Sequence, residues 1–177
     1  MTAARQNVLN LAHSLRADGF GEGDIRAAVT YMEQLNAFFR TGEEWEALAA
    51  AADRARGEGW FAYTGPVPPR PAQPRGPNPD VDRDPVPVLR RVGCPVLALY
   101  GERDPIVPLA ENRPRLEEGL REGRCPDYTV VVFPTAEHLM VETPTGAGKE
   151  FPYATQFITG YFPTMLDWLR RRVDVAG

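Results

Sequence analysis

Residues 95–108 read Pro95-Val96-Leu97-Ala98-Leu99-Tyr100-Gly101-Glu102-Arg103-Asp104-Pro105-Ile106-Val107-Pro108. Within them, Val96 to Tyr100 is a short continuous apolar run bounded by Pro95 and Gly101. Such a run, without the alternation of a half-solvated strand, predicts a strand buried on both faces of a sheet. A second run, Tyr128 to Phe133 (YTVVVF), is β-branched and aromatic and stops at Pro134. Between them a helix is expected over about Ala110 to Glu122, with Leu116 and Leu120 inward and Gly123 ending it. Two such strands joined by a helix belong side by side and parallel, in a right-handed crossover. A last helix, about Gly160 to Val173, places Phe162, Met165, Leu166 and Leu169 on a face suited to cover the sheet. The class is α/β.

Parallel strands of open α/β sheets present their sites at their carboxyl ends. Asp104 lies four residues beyond Tyr100, and His138 five beyond Phe133. Both therefore fall on loops leaving the same edge, from strands ~4.8 Å apart. A carboxylate and an imidazole so placed can meet, the aspartate fixing the ring tautomer and leaving the other nitrogen as a general base. Taken singly, each residue has a plainer reading: Asp-Pro opens many loops, and a lone loop histidine is usually just exposed. The joint placement is what makes them candidate catalytic residues.

The 95–108 stretch resembles the penultimate strand and acid loop of α/β-hydrolases, whose G-x-x-D-x-x-V-P pattern carries the triad acid at the position of Asp104. Val130 to Met140, with Phe133-Pro134 and Glu137-His138, resembles that family's last strand and histidine loop. Trp168-Leu169-Arg170-Arg171 is similar to its final helix. The resemblance covers roughly residues 84–173, and the helices before it resemble the cap of prolyl-oligopeptidase-like and dienelactone-hydrolase-like members. It implies the C-terminal portion of an α/β-hydrolase fold: two parallel strands with flanking helices, preceded by a helical cap-like segment. It further implies a serine-hydrolase type of acyl chemistry, with Asp104 as acid and His138 as base.

The nucleophile of that family sits in a G-x-S-x-G elbow ahead of the acid in chain order. The sole serine is Ser14, inside an apparent helix without flanking glycines. Cys94 and Cys125 precede their strands, at the amino edge of the sheet. A five-residue strand spans roughly 17 Å, so neither thiol reaches the opposite edge, although the two can approach one another. No nucleophile is assigned. Strands this apolar also need further strands beside them and helices on both faces, which two strands do not supply. The expected partner is an N-terminal hydrolase portion, or a second copy, completing the sheet.

Upstream, the chain reads as helices. Val8, Leu11, Ala12 and Leu15 share a face that stops at Gly19; Ile25, Ala28, Val29, Met32, Leu35, Phe38 and Phe39 follow from about Asp24; an alanine-rich segment runs from Glu43 to Arg56 with Trp45 and Leu48. Residues 1–65 form this segment, 66–87 a proline-rich extended linker with nine prolines that disfavour helix and central strand, and 88–177 the hydrolase-like part. Thr143 to Lys149 (TPTGAGK) lacks phosphate-loop spacing and reads as a loop over the active-site edge.

Charged residues make up 25% of the 177 residues and the formal charge is -4, which gives no basic footprint for nucleic acid or an anionic membrane. There is no apolar signal-peptide core and no membrane-length run, so a cytoplasmic protein is expected unless a leader has been lost by truncation. Two cysteines and two histidines give no zinc pattern, and neither metal nor cofactor is expected. Function is thus expected to be ester or amide acyl hydrolysis of a small-molecule substrate, with the chain inactive alone. The alternatives are a non-catalytic pseudoenzyme or split-protein interaction subunit, and a helical binding module with an unrelated βα appendage. The last of these predicts that Asp104 and His138 lie apart.

Overall fold

Apolar residues at helical spacing assemble the first part of the chain. In the computed structural model, which describes residues 2–70, 78 and 80–173, α1 (Ala3–Ala17), α2 (Glu22–Thr41) and α3 (Trp45–Ala55) bury Leu11, Leu15, Ile25, Met32, Leu35, Phe38 and Leu48 in one core. Thr2 caps α1, its side chain accepting the Arg5 N–H at 3.3 Å. Asn36, buried on α2, donates from its side-chain amide to the Ala4 carbonyl at 3.2 Å and so ties α2 to α1. A 3-10 turn at Gly59–Tyr63 drives Trp60 into the same core, against the rings of Tyr31 and Phe61. These aromatics pack the helices together.

The chain divides into two units between Asp84 and Pro85. The described ends of the proline-rich stretch are held to the helical unit. The Trp45 indole donates to the Pro68 carbonyl at 3.0 Å, Val81 accepts from Ala4 at 3.2 Å, and Asp82 pairs with Arg40. Residues 71–77 and 79 of the expected linker lie outside the described residues. Its last residues enter a one-turn helix, α4 (Val86–Leu89), that the prolines argued against. Pro87 is tolerated there because first-turn N–H groups have no helical partner to lose.

The second unit is α/β. Strands β1 (Val96–Gly101) and β2 (Tyr128–Phe133) pair in parallel, Val96 beside Tyr128 and Gly101 beside Phe133. They are joined through α5 (Leu109–Arg121) and followed by α6 (Tyr161–Arg170). The two later helices lie on opposite faces of the pair. Burial raises the Tyr100 pKa, and the charges of Glu117 and Arg113 on α5 act on the same hydroxyl to a smaller extent, whereas Trp168 of α6 donates to Thr129 at 3.2 Å and Tyr161 meets the Phe133 ring edge-on. Side chains alternate along a strand; Tyr100 stands beside Val132, three residues from Thr129 and therefore on the other face.

The strands are nevertheless only half-buried from Val96 to Tyr100 and from Tyr128 to Val132. α6 turns a different stripe to the sheet from the one its sequence suggested. Tyr161, Met165 and Trp168 face inward, while Phe162, Leu166 and Leu169 are about half exposed at 50%, 51% and 48%. A hydrogen bond to Thr129 fixes the Trp168 side inward, and the neighbouring apolar stripe has no strand or helix to cover it among the described residues. No helix among them is long and apolar enough to cross a membrane.

Candidate active site

Strand pairing carries directly into the two loops at the carboxyl edge. Glu102 N–H donates to the Phe133 carbonyl and Arg103 N–H to the Ala136 carbonyl, both at 3.0 Å. This backbone-to-backbone approach depends on Gly101, where a Cβ would sit 2.4 Å from the Ala136 carbonyl oxygen and 2.8 Å from that of Glu137. The acid loop and the histidine loop are thereby one packed unit.

Asp104 is buried in that unit, and both of its oxygens are engaged. Oδ1 accepts the backbone N–H groups of Ile106 and Val107, each at 2.8 Å, and Oδ2 lies 3.0 Å from Nδ1 of His138. A carboxylate that only accepts would place the proton on Nδ1 and leave Nε2 as an acceptor. The His138 side chain is 38% exposed against 5% for Asp104. The structure thus brings together the two residues singled out in the sequence, a buried carboxylate and a partly exposed imidazole. Their meeting also removes the observation that a helical module with an unrelated appendage required.

A tight turn delivers His138. Ala136 and Glu142 bridge antiparallel, Glu137 N–H donates to the Val141 carbonyl at 3.1 Å, and Met140 N–H donates to the Glu137 carbonyl at 3.0 Å. His138 and Leu139 occupy the centre of that turn, and Met140 closes it with φ +59°. Glu137 points inward and is fully buried; its Oε1 accepts the Leu139 N–H at 2.6 Å and the Val141 N–H at 3.3 Å. In the sequence Glu137 stands out only as part of the histidine-loop resemblance, because nothing in its spacing distinguishes an inward glutamate from a solvated one.

The stretch 143–149 is anchored to the acid loop. The Arg103 guanidinium donates to the Thr143 carbonyl, and Gly146, at φ +82°, lies where a Cβ would sit 1.9 Å from the Arg103 carbonyl oxygen. The Glu150 carboxylate accepts from the N–H groups of Thr145 and Gly146, each at 3.0 Å, and from the Thr145 hydroxyl at 2.7 Å. Burial works against the ionised form of Glu150, but these hydrogen bonds and the charge of Lys149 outweigh it and hold its pKa below the ordinary carboxylate value. A phosphate would need those same amides, so the loop is internally satisfied. A cavity of about 470 Å³ opens beside it, lined in part by Glu142, Thr143, Lys149 and Tyr153.

The serine and cysteines sit on other elements of the chain. Ser14 lies in the last turn of α1, within the helical unit. Cys94 and Cys125 are free thiols at the amino ends of β1 and β2, and Cys125 Sγ lies 3.3 Å from the Cys94 carbonyl and 3.1 Å from the Asp127 carbonyl, its single S–H able to donate to either. No group of three or more His, Cys, Asp or Glu able to hold a metal ion occurs among the described residues. In comparisons with family models, curated proteins and solved structures, nothing matches the chain.

Proposed function

We propose that the second unit is the C-terminal portion of an α/β-hydrolase, supplying the triad acid Asp104 and the triad base His138 for acyl hydrolysis. One observation carries this reading: a buried carboxylate 3.0 Å from Nδ1 of an exposed histidine, both on loops at the carboxyl ends of adjacent parallel strands. With Nδ1–H held by Asp104, Nε2 takes the proton of a nucleophile and returns it to the leaving alcohol or amine. Asp104 stabilises the imidazolium formed in between. The substrate class is a small-molecule ester or amide, and the chemistry requires no cofactor.

The nucleophile then comes from a polypeptide that also completes the sheet, either an N-terminal hydrolase portion or a second copy. The half-buried strands and the exposed Phe162, Leu166 and Leu169 stripe support such a partner, since an unpaired apolar edge favours association. A non-catalytic reading has its own support: Ser14 and both cysteines are placed where none serves as an elbow nucleophile.

The two readings separate on mixing the chain with the upstream half of an α/β-hydrolase, ending before its acid strand, and assaying p-nitrophenyl ester hydrolysis. The hydrolase reading expects turnover that needs both polypeptides and is lost in His138→Ala. Association without any turnover sinks it and leaves the split-protein subunit.

A further inference from the structure

Glu137 is fully buried next to an exposed histidine, and burying a carboxylate is costly unless hydrogen bonds compensate. An apolar side chain of similar size would fill the same space at lower cost. What the carboxylate adds is acceptance of two N–H groups, those of Leu139 and Val141, which lie on either side of the left-handed Met140. A non-glycine residue at positive φ persists where its surroundings over-determine it, and two hydrogen bonds to one buried oxygen supply that constraint here. The turn they fix is the one that holds the His138 ring against Asp104, where small displacements break a hydrogen bond.

We propose that Glu137 is a positioning residue, its Oε1 locking the Glu137–Val141 turn so that His138 Nδ1 stays on Asp104. The inference rests on the reading of His138 as the general base. Oε2 has no hydrogen-bond partner among the described groups, so the anchoring runs through Oε1. Glutamine, which keeps that oxygen, is therefore the rescuing substitution, and methionine fills the space without accepting.

The test is proton NMR of the full chain with labelled histidine, following solvent exchange of the His138 ring N–H, assigned by its loss in His138→Ala. Glu137→Met is expected to speed that exchange about tenfold or more, as loss of the two hydrogen bonds that Oε1 accepts would. Glu137→Gln is expected to stay close to the parent, and all variants to keep β1–β2 amide protection. Unchanged exchange in Glu137→Met, or a Glu137→Gln no better than Glu137→Met, overturns the inference even if both variants lose some stability. Asp104→Asn reads the underlying pair separately. If it leaves the ring signal untouched, the Asp104–His138 couple itself fails; if it abolishes the signal while Glu137→Met does not alter it, only the role of Glu137 fails.

Discussion

Replacing Asp104 by alanine or by asparagine separates its two oxygens. Alanine removes three hydrogen bonds, two from backbone N–H groups at 2.8 Å and one from the imidazole at 3.0 Å, from a side chain only 5% exposed. Hydrogen bonds to a charged group are worth about 1.5–3 kcal/mol each. Two corrections reduce the sum: the desolvation cost of a buried carboxylate is recovered, and the half-buried Ile106 and Val107 N–H groups can turn to water. The net loss for Asp104→Ala is about 2–4 kcal/mol. Asp104→Asn keeps an Oδ1 acceptor and the volume, so its loss is about 1 kcal/mol or less. In a domain of this size the alanine effect lowers Tm by roughly 10–20 °C. Urea unfolding read through hydrogen exchange of β1 and β2 peptides reports on the second unit alone. Equal losses for the two variants, within about 0.5 kcal/mol, would refute the assignment of Oδ1 as the anchor of the acid loop.

Three further outcomes follow from the same geometry. Gly146→Ala pays for a left-handed φ and meets the Arg103 carbonyl at 1.9 Å, so urea unfolding should show a loss of at least about 2 kcal/mol; a loss below about 0.5 kcal/mol would contradict the packed Arg103 contact. Diethyl pyrocarbonate should acylate His138, whose side chain is 38% exposed, ahead of His13, whose Nε2 is buried; peptide mass mapping that finds His13 first would contradict the exposed base. The depressed pKa of Glu150 means that its loop contributes stability above the ordinary carboxylate value of 4.5 and loses it as pH falls through the lower folded value. Glu150→Gln should therefore flatten the acid side of the Tm against pH curve, and an unchanged acid slope would argue against the clamp on Thr145 and Gly146.

Much of this site was legible because it follows from strand ends. Val96–Tyr100 and Tyr128–Phe133 are apolar enough to be read as paired buried strands, and counting past each end reaches Asp104 and His138. The face of α6 was not legible, because Phe162, Leu166 and Leu169 are as apolar as the residues that pack, and the Trp168 to Thr129 hydrogen bond and the Tyr161 to Phe133 ring contact set the rotation. The burial of Glu137 was hidden for a different reason. Its burial arises from the turn that Met140 closes at positive φ, a backbone feature that methionine does not announce. The one-turn α4 was obscured by Pro87, whose exclusion from helices does not extend to a first turn.

The proposed function gives the chain an oriented acid, Asp104, and base, His138, without a nucleophile. It is tested most directly by pre-steady-state hydrolysis of p-nitrophenyl acetate by the purified chain beside His138→Ala. The account predicts no stoichiometric burst of p-nitrophenolate and no saturable turnover above the variant. A burst that is lost in His138→Ala would contradict it, and would place an acyl-accepting nucleophile within this chain.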